Sequence, residues 1–285
     1  MGTDESVGIG GVFDEARVEF ERLTATIWSP SAHALTHQLH IRPGETVLDV
    51  CCGAGASALP AAAAVGPDGR VHAVDLSDEL LECGRLVASD RGLQNIDFVK
   101  ADATTWEAPS EVHETGYDVL ACSYGVFFLP HMDEAFSRLV SLVRPGGRVG
   151  VTVWRKGSLE ELIDTFTTAV RDVDPPPETD TEAAPPSRDA WAKINTPDGL
   201  RDWLLTSGTS AVEVHELSNL VPATPEFVWD LVLGGALRSA LTGLDSTQVD
   251  AVRVRFLDLL AERAVHTIDA GTLVATAVVR GFGTT

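Results

Sequence analysis

The stretch Val47-Leu48-Asp49-Val50-Cys51-Cys52-Gly53-Ala54-Gly55 constrains the fold of this chain more than any other. An apolar run holding one acid ends in a turn of small residues. Ala56-Ser57-Ala58-Leu59-Pro60-Ala61-Ala62-Ala63-Ala64-Val65 follows, rich in helix-forming alanine. The pattern reads as a buried strand, a tight glycine turn and a helix start. In an open α/β sheet, ligands bind in the crevice at the carboxyl ends of the strands, where strand order reverses. The first strand–turn–helix is therefore the natural cradle for a nucleotide-like ligand.

The same rhythm continues downstream. Arg70–Asp75 reads as a short strand ending in an acid, and Ser77 to about Ser89 as a helix capped by Ser77. Ile96–Lys100 reads as a third strand, followed by Ala101-Asp102-Ala103. Tyr117–Cys122 reads as a fourth strand and Asp133–Leu142 as a helix. Arg144-Pro145-Gly146-Gly147-Arg148 reads as a turn into a fifth strand, Val149–Trp154. Strands alternating with helices predict βαβ units with right-handed crossovers.

Upstream, Val12, Phe13, Ala16, Phe20, Leu23 and Ile27 recur at helical spacing. Residues 1–11 read as irregular, Trp28-Ser29-Pro30 as a helix break, and Ser31 to about Leu39 as a second helix. After Trp154 the rhythm changes. Leu159–Val173, Asp198–Ser207, Pro225–Leu241 and Ser246–His266 read as helices. Val212–Leu217 and Thr272–Val279 read as strands, and the Pro- and acid-rich 174–187 as an exposed irregular loop.

Charge narrows the partners. With 42 acidic and 21 basic residues the net charge is −21. Phosphate backbones are bound by neutralising Lys and Arg, so nucleic acid and anionic membranes are not expected partners. A small-molecule substrate is, and a homo-oligomer is compatible with the sequence. Cys51, Cys52, Cys83 and Cys122 read as core thiols in a reducing compartment, and no C-x-x-C pair suggests a metal. No apolar run approaches ~20 residues and the first residues are acidic, so a cytoplasmic location without stable membrane association is expected.

The ligand can be narrowed in two steps. Gly53-x-Gly55-x-x-Ala58 fits a dinucleotide fingerprint, and Asp75 stands where such a fold places its ribose-binding acid. On these residues alone NAD and S-adenosylmethionine stay level. Three features then separate them. Asp49 lies inside the first strand, where an acid suits a cationic amino-acid moiety and repels a pyrophosphate. Asp102, after the third strand, can accept a bond from an adenine amine. The turn at 144–147 and the closing strands at 212–217 and 272–279 fit another topology.

On these motifs the chain resembles the class I S-adenosylmethionine-dependent methyltransferases. It is most similar to the small-molecule branch akin to the ubiquinone/menaquinone-biosynthesis methyltransferases, strongly over about 40–155. The resemblance implies a doubly wound, mostly parallel, seven-stranded Rossmann-like α/β sheet whose last strand is antiparallel. N-terminal helices and helical insertions would form a cap. It divides the chain into N-terminal helices over the cofactor site (1–40), a cofactor-binding core (41–155), cap insertions (156–210 and 222–268) and closing strands (211–221 and 269–285). It also implies that Asp49, Gly53 and Gly55 form the methionine-side loop. Asp75 would hold the ribose, Leu76 would pack on adenine, and Ala101, Asp102 and Ala103 would read its edge. Ser123 would line the methionine side, with Trp28 above the cofactor. The family's first loop glycine is Cys51 here, which matters if that residue takes a positive φ.

Methyl transfer from a sulfonium is a direct displacement, so in-line orientation counts for more than a catalytic triad. No triad is evident. Helix 31–39 must descend to the amino end of the first strand, so Trp28 and His33 should begin near the carboxyl edge. Tyr124, Phe128 and His131 follow the fourth strand there, and Trp154 ends the fifth. Tyr124, Phe128 and Trp154 are the candidate substrate residues. His131 is the first candidate base and His33 the second. An NAD-dependent oxidoreductase and a non-catalytic S-adenosylmethionine-binding protein are the competing functions.

Overall fold

The computed structural model describes residues 3–175 and 186–281. The chain opens with helices α1 (Thr3–Glu15) and α2 (Arg17–Leu23), a π-helical turn (Thr24–Trp28) and α3 (Ser29–Gln38). The alternating core follows: β1 (Thr46–Val50), α4 (Ala58–Val65), β2 (Arg70–Asp75), α5 (Asp78–Asp90), β3 (Ile96–Lys100), α6 (Ser110–His113), β4 (Tyr117–Ser123), α7 (Met132–Ser141) and β5 (Val143–Trp154). Then come α8 (Glu160–Val173), α9 (Pro186–Ile194), α10 (Pro197–Thr206), β6 (Thr209–Leu217) and β7 (Leu220–Pro222). The chain closes with α11 (Pro225–Leu233), α12 (Ser246–Glu262), β8 (Thr267–Asp269) and β9 (Thr272–Val279).

Seven strands form one sheet in the order β3-β2-β1-β4-β5-β9-β6. The first five are parallel, and β9 runs antiparallel to both β5 and β6. Strand order reverses between β1 and β4, so their carboxyl ends flank the crevice. β1 is buried on both faces except at its first residue, as a central parallel strand must be. Its amino end is pinned by Asp118, whose carboxylate accepts the Thr46 N–H at 2.8 Å and the Arg144 guanidinium at 2.6 Å. Helix ends follow local chemistry. The Ser77 Oγ accepts the Leu80 N–H, Thr196 and Thr224 cap α10 and α11 with Pro in the first turn, and Asp245 with Gln248 forms a capping box.

Apolar packing falls into separate cores. Two cover the two faces of the sheet, one around Phe136, Leu139 and Trp203, the other around Leu35, Leu59 and Val71. A third lies in the helical part, where Leu23 and Ile27 meet Phe166, Trp229 and Phe256. N-terminal and C-terminal segments thus share one core above the sheet.

Several boundaries differ from expectation. Residues 3–11 are helical, because α1 docks on α5 through Asp14, which accepts the Ser77 hydroxyl at 2.6 Å. Trp28-Ser29-Pro30 does not break the helix: the π turn widens it and Pro30 falls in the first turn of α3, where no N–H is needed. The turn at 144–148 survives as extra residues bulging within β5. Residues 186–194 are helical, and the part of the expected loop at 176–185 lies outside the described residues. The helix expected at 225–241 ends at Leu233, followed by a 3-10 turn at Ala236–Leu241. Leu220–Pro222 pairs with Thr267–Asp269 in a separate two-stranded ribbon and does not extend the main sheet.

Candidate active site

The cleft at the switch point is built from the ends of β1 to β4 and roofed by α1. It is narrow, about 70 Å³, and among its lining residues are Gly10, Phe13, Cys51, Asp75, Leu76 and Asp102. A larger groove of about 680 Å³ runs along the outer edge of β3, and none of the three acids lines it.

The glycine turn takes the backbone where side chains do not fit. Gly53 has φ +53° and Gly55 φ +83°. A Cβ on Gly53 would stand 3.0 Å from the Phe20 ring, and one on Gly55 3.0 Å from Phe98. Cys51 also has φ +54°, so its position does need the left-handed conformation that glycine adopts freely. Gly125 makes room for it: a Cβ there would lie 2.3 Å from the Cys51 Cβ.

Asp49 is fully buried and accepts a 2.7 Å hydrogen bond from the Ser57 hydroxyl through Oδ2. Among the described residues its Oδ1 has no hydrogen-bond partner. Burial pushes its carboxyl up to about 7, against the Ser57 bond and with the nearby Asp75 charge adding to the rise. An unpaired buried carboxylate oxygen calls for a cation. Asp75, at the end of β2, accepts the Gly53 N–H at 2.8 Å and the Ser77 N–H at 2.9 Å. Burial pushes its carboxyl up too, against hydrogen bonds from the Ser77, Gly53 and Leu76 N–H groups. The acid thus ties the glycine turn to the start of α5. Asp102 accepts both the N–H and the hydroxyl of Thr104 on one oxygen, forming a local turn. Leu76, Ala101 and Ala103 line the cleft beside it.

Beyond Cys51 the edge becomes aromatic. Trp28 stacks on Phe20 at 4.8 Å and meets Tyr124 and Trp154 at 5.6 and 6.2 Å. Tyr124 stacks on Trp154 at 4.3 Å, and Phe13 meets Phe20 and Phe128 edge-on. The π turn helps to aim Trp28, whose indole N–H donates to the Phe20 carbonyl at 3.1 Å. Tyr124 presents its ring only: its hydroxyl bonds Thr272 at 2.6 Å, and burial pushes it up to about 12, against hydrogen bonds with Ser31 and Thr272. The Ser123 hydroxyl is paired with Thr152 at 2.9 Å.

Among the expected residues, the structure gathers Cys51, Asp75, Leu76, Ala101, Asp102, Ala103 and Phe128 around the cleft, whereas Asp49, Gly53 and Gly55 lie on β1 and the adjoining turn without lining it. Trp28, Tyr124 and Trp154 form the adjoining aromatic wall. His33 and His131 are exposed, and neither lines the cleft. His131 begins α7 in a left-handed conformation, φ +48°, with no capping bond. Gly10, Phe13, Phe20, Leu129 and Pro130 complete the surround without having been singled out as site residues. Phe13 and Phe20 carried a signal, seven residues apart on one helical face.

These residues suit the ligand inferred from sequence, because an orphaned carboxylate oxygen sits on the strand that leads into the glycine turn. The chain matches the profile of the ubiE/COQ5 methyltransferase family over residues 7–175. It belongs to that family. It is 35% identical over 157 residues to aklanonic acid methyltransferase DauC of Streptomyces sp. (strain C5), covering 54% of this chain and 70% of that one. It is 32% identical over 144 residues to nocamycin O-methyltransferase of Saccharothrix syringae, covering 50% and 48%; the matched stretch thus spans about half of that relative. The solved structure of YjhP from E. coli shares the fold, with a TM-score of 0.59 at 18% identity over 95% of this chain and 99% of that one. The ubiE/COQ5 chain described here is therefore an enzyme that takes S-adenosylmethionine as cofactor and methylates a small molecule. Among the described residues no three metal-ligating side chains cluster, and no helix is long and apolar enough to cross a membrane.

Proposed function

We propose that Asp49, Asp75 and Asp102 hold the three polar parts of S-adenosylmethionine, and that the aromatic wall presents the acceptor. The observation that carries this reading is the buried, unpaired Oδ1 of Asp49 beneath the glycine turn. Asp49 would receive the methionine ammonium, with Gly53 and Gly55 shaping the turn beside it. Asp75 would exchange part of its hold on the turn for the ribose hydroxyls. Leu76 packs on the adenine, while Ala101, Asp102 and Ala103 face its edge. When bound, the cofactor supplies an electrophilic methyl on a sulfonium. Cys51, Ser123 and Trp28 border that end.

The acceptor is read as a largely apolar small molecule held by Phe128, Trp154, Trp28 and the Tyr124 ring. Its nucleophile, an O, N or C atom, is set in line by packing, since neither His33 nor His131 reaches the cleft. Orientation of this kind supplies several kcal/mol in fixed systems. The reading keeps the chain division at 40, 155, 210, 221 and 268, with α1–α3 as part of the roof. It places the enzyme in the cytoplasm, without nucleic-acid or membrane partners, and is compatible with a homo-oligomer.

Calorimetric titration tests the cofactor half: S-adenosylhomocysteine should bind at micromolar concentration or below, and NAD should not. A panel of apolar metabolites with labelled S-adenosylmethionine tests the acceptor half. NAD binding without S-adenosylhomocysteine binding would overturn the reading.

A further inference from the structure

Cys51 and Cys122 converge although they come from different strands. Cys122 is the sixth residue of β4, and Cys51 follows β1, its parallel neighbour. The pairing sets Asp49 beside Ala121, so the two chains carry their cysteines to the same end of the crevice. The left-handed backbone at Cys51 turns its side chain toward β4. Gly125 then leaves a gap that both sulfurs share: a Cβ built there would lie 2.8 Å from the Cys51 Sγ and 3.0 Å from the Cys122 Sγ. The other thiols point elsewhere. The Cys52 Sγ lies 3.6 Å from the Gly53 carbonyl oxygen, and Cys83 is approached by Arg17. Cys51 lines the cofactor cleft, whereas Cys122 is fully buried behind it. A thiol thus stands at a left-handed position of the turn, with a second thiol facing the same gap at Gly125.

We propose that Cys51 and Cys122 are a dithiol modification site in the floor of the cofactor cleft, closed to a disulfide by a hydroperoxide and reopened by a small thiol. The Cys51 sulfur attacks the peroxide oxygen, giving a sulfenic acid and water from hydrogen peroxide. The Cys122 sulfur then attacks the Cys51 sulfur, and a second water leaves. Two thiols are oxidised and one peroxide is reduced. Access fixes the order, since the cleft reaches Cys51 first. A thiol–thiol hydrogen bond with Cys122, followed by burial, raises the Cys51 thiol, so little thiolate is present and closure is slow at neutral pH. The crosslink staples the glycine turn to the end of β4 and draws a cleft-lining side chain inward. Cofactor affinity falls, and by linkage bound cofactor protects the dithiol.

The reading of Cys51 as a cleft residue underlies this inference, and the test separates the two. The full chain is treated with hydrogen peroxide, with and without S-adenosylhomocysteine, then analysed by intact mass and by non-reducing peptide mapping. The expected result is the loss of two hydrogens, a Cys51–Cys122 crosslink, slower closure with ligand, and affinity lowered by at least about tenfold until dithiothreitol is added. Cys122→Ala should keep the untreated affinity and stop at an oxidised Cys51 with no crosslink, and Cys51→Gly should form no crosslink either. Crosslinking through Cys52 or Cys83, no crosslink under peroxide, or unchanged affinity in the crosslinked protein would overturn the dithiol. Failure of S-adenosylhomocysteine to bind the reduced protein would instead count against the cofactor reading alone, since mapping still reports the crosslink.

Discussion

On the β2 side of Cys51 the crevice is polar and organised by backbone; on the β5 side it is aromatic and organised by packing. Asp49 lies inside β1, Asp75 ends β2 and Asp102 follows β3, and Asp75 holds two backbone N–H groups of its own fold. Phe20, Trp28, Tyr124 and Trp154 come from α2, the π turn and the ends of β4 and β5, and hold one another. In the proposed reading the polar side would hold the cofactor, and the wall of interlocked rings would set the shape of the space for the acceptor. Substitutions on the two sides should therefore fail differently.

The largest contrast is expected between Trp28→Ala and Asp75→Ala. Trp28→Ala removes stacking with Phe20 and contacts with Tyr124 and Trp154, and should lower folding stability by about 2–3 kcal/mol in urea titrations. Affinity for S-adenosylhomocysteine should change far less. Asp75→Ala should show the reverse emphasis, weakening that affinity by about 1–3 kcal/mol, because a charged acceptor for the ribose is lost. Equal effects of both on affinity would erase the distinction between the two sides.

Asp49 sharpens it through pH. The unfolded chain loses this proton near pH 4, and the fold keeps it to about 7. Its stabilising contribution is complete below about pH 4, declines as pH rises, and is gone above about 7. Asp49→Asn should therefore raise unliganded stability at pH 8 while weakening cofactor binding, a sign reversal visible by thermal unfolding and calorimetry. The smallest effects belong to the histidines. His33→Ala and His131→Ala should each leave methyl-transfer rate unchanged and stability within about 0.5 kcal/mol. A large rate loss in either would restore a general base to the site.

How much of this was readable from sequence also divides along the crevice. The cradle was legible because strand length and loop position determine where Asp49, Asp75 and Asp102 stand. The aromatic wall was legible only in part. Trp28, Tyr124 and Trp154 were placed by the edge they end on, but the inward turn of the Tyr124 hydroxyl depends on Thr272, 148 residues away. Phe13 and Phe20 read as an ordinary helix face in sequence, whereas in the fold α1 roofs the cleft through Gly10 and Phe13. His33 and His131 lie outside the cleft because chain position fixes an edge and not a direction. Cys51 was the informative departure. Its conformation could not be known from sequence, and the structure makes it left-handed with Gly125 as its complement.

Proton release on ligand binding reports on Asp49 most directly. Calorimetric titration of S-adenosylhomocysteine at pH 6, in buffers of different ionisation heat, measures it. A cation settling on the unpaired carboxylate should expel close to one proton at that pH, release should fade above about pH 7, and Asp49→Asn should abolish it. Binding with no proton exchange at pH 6, equally strong in Asp49→Asn, would contradict the assignment of this acid to the cofactor.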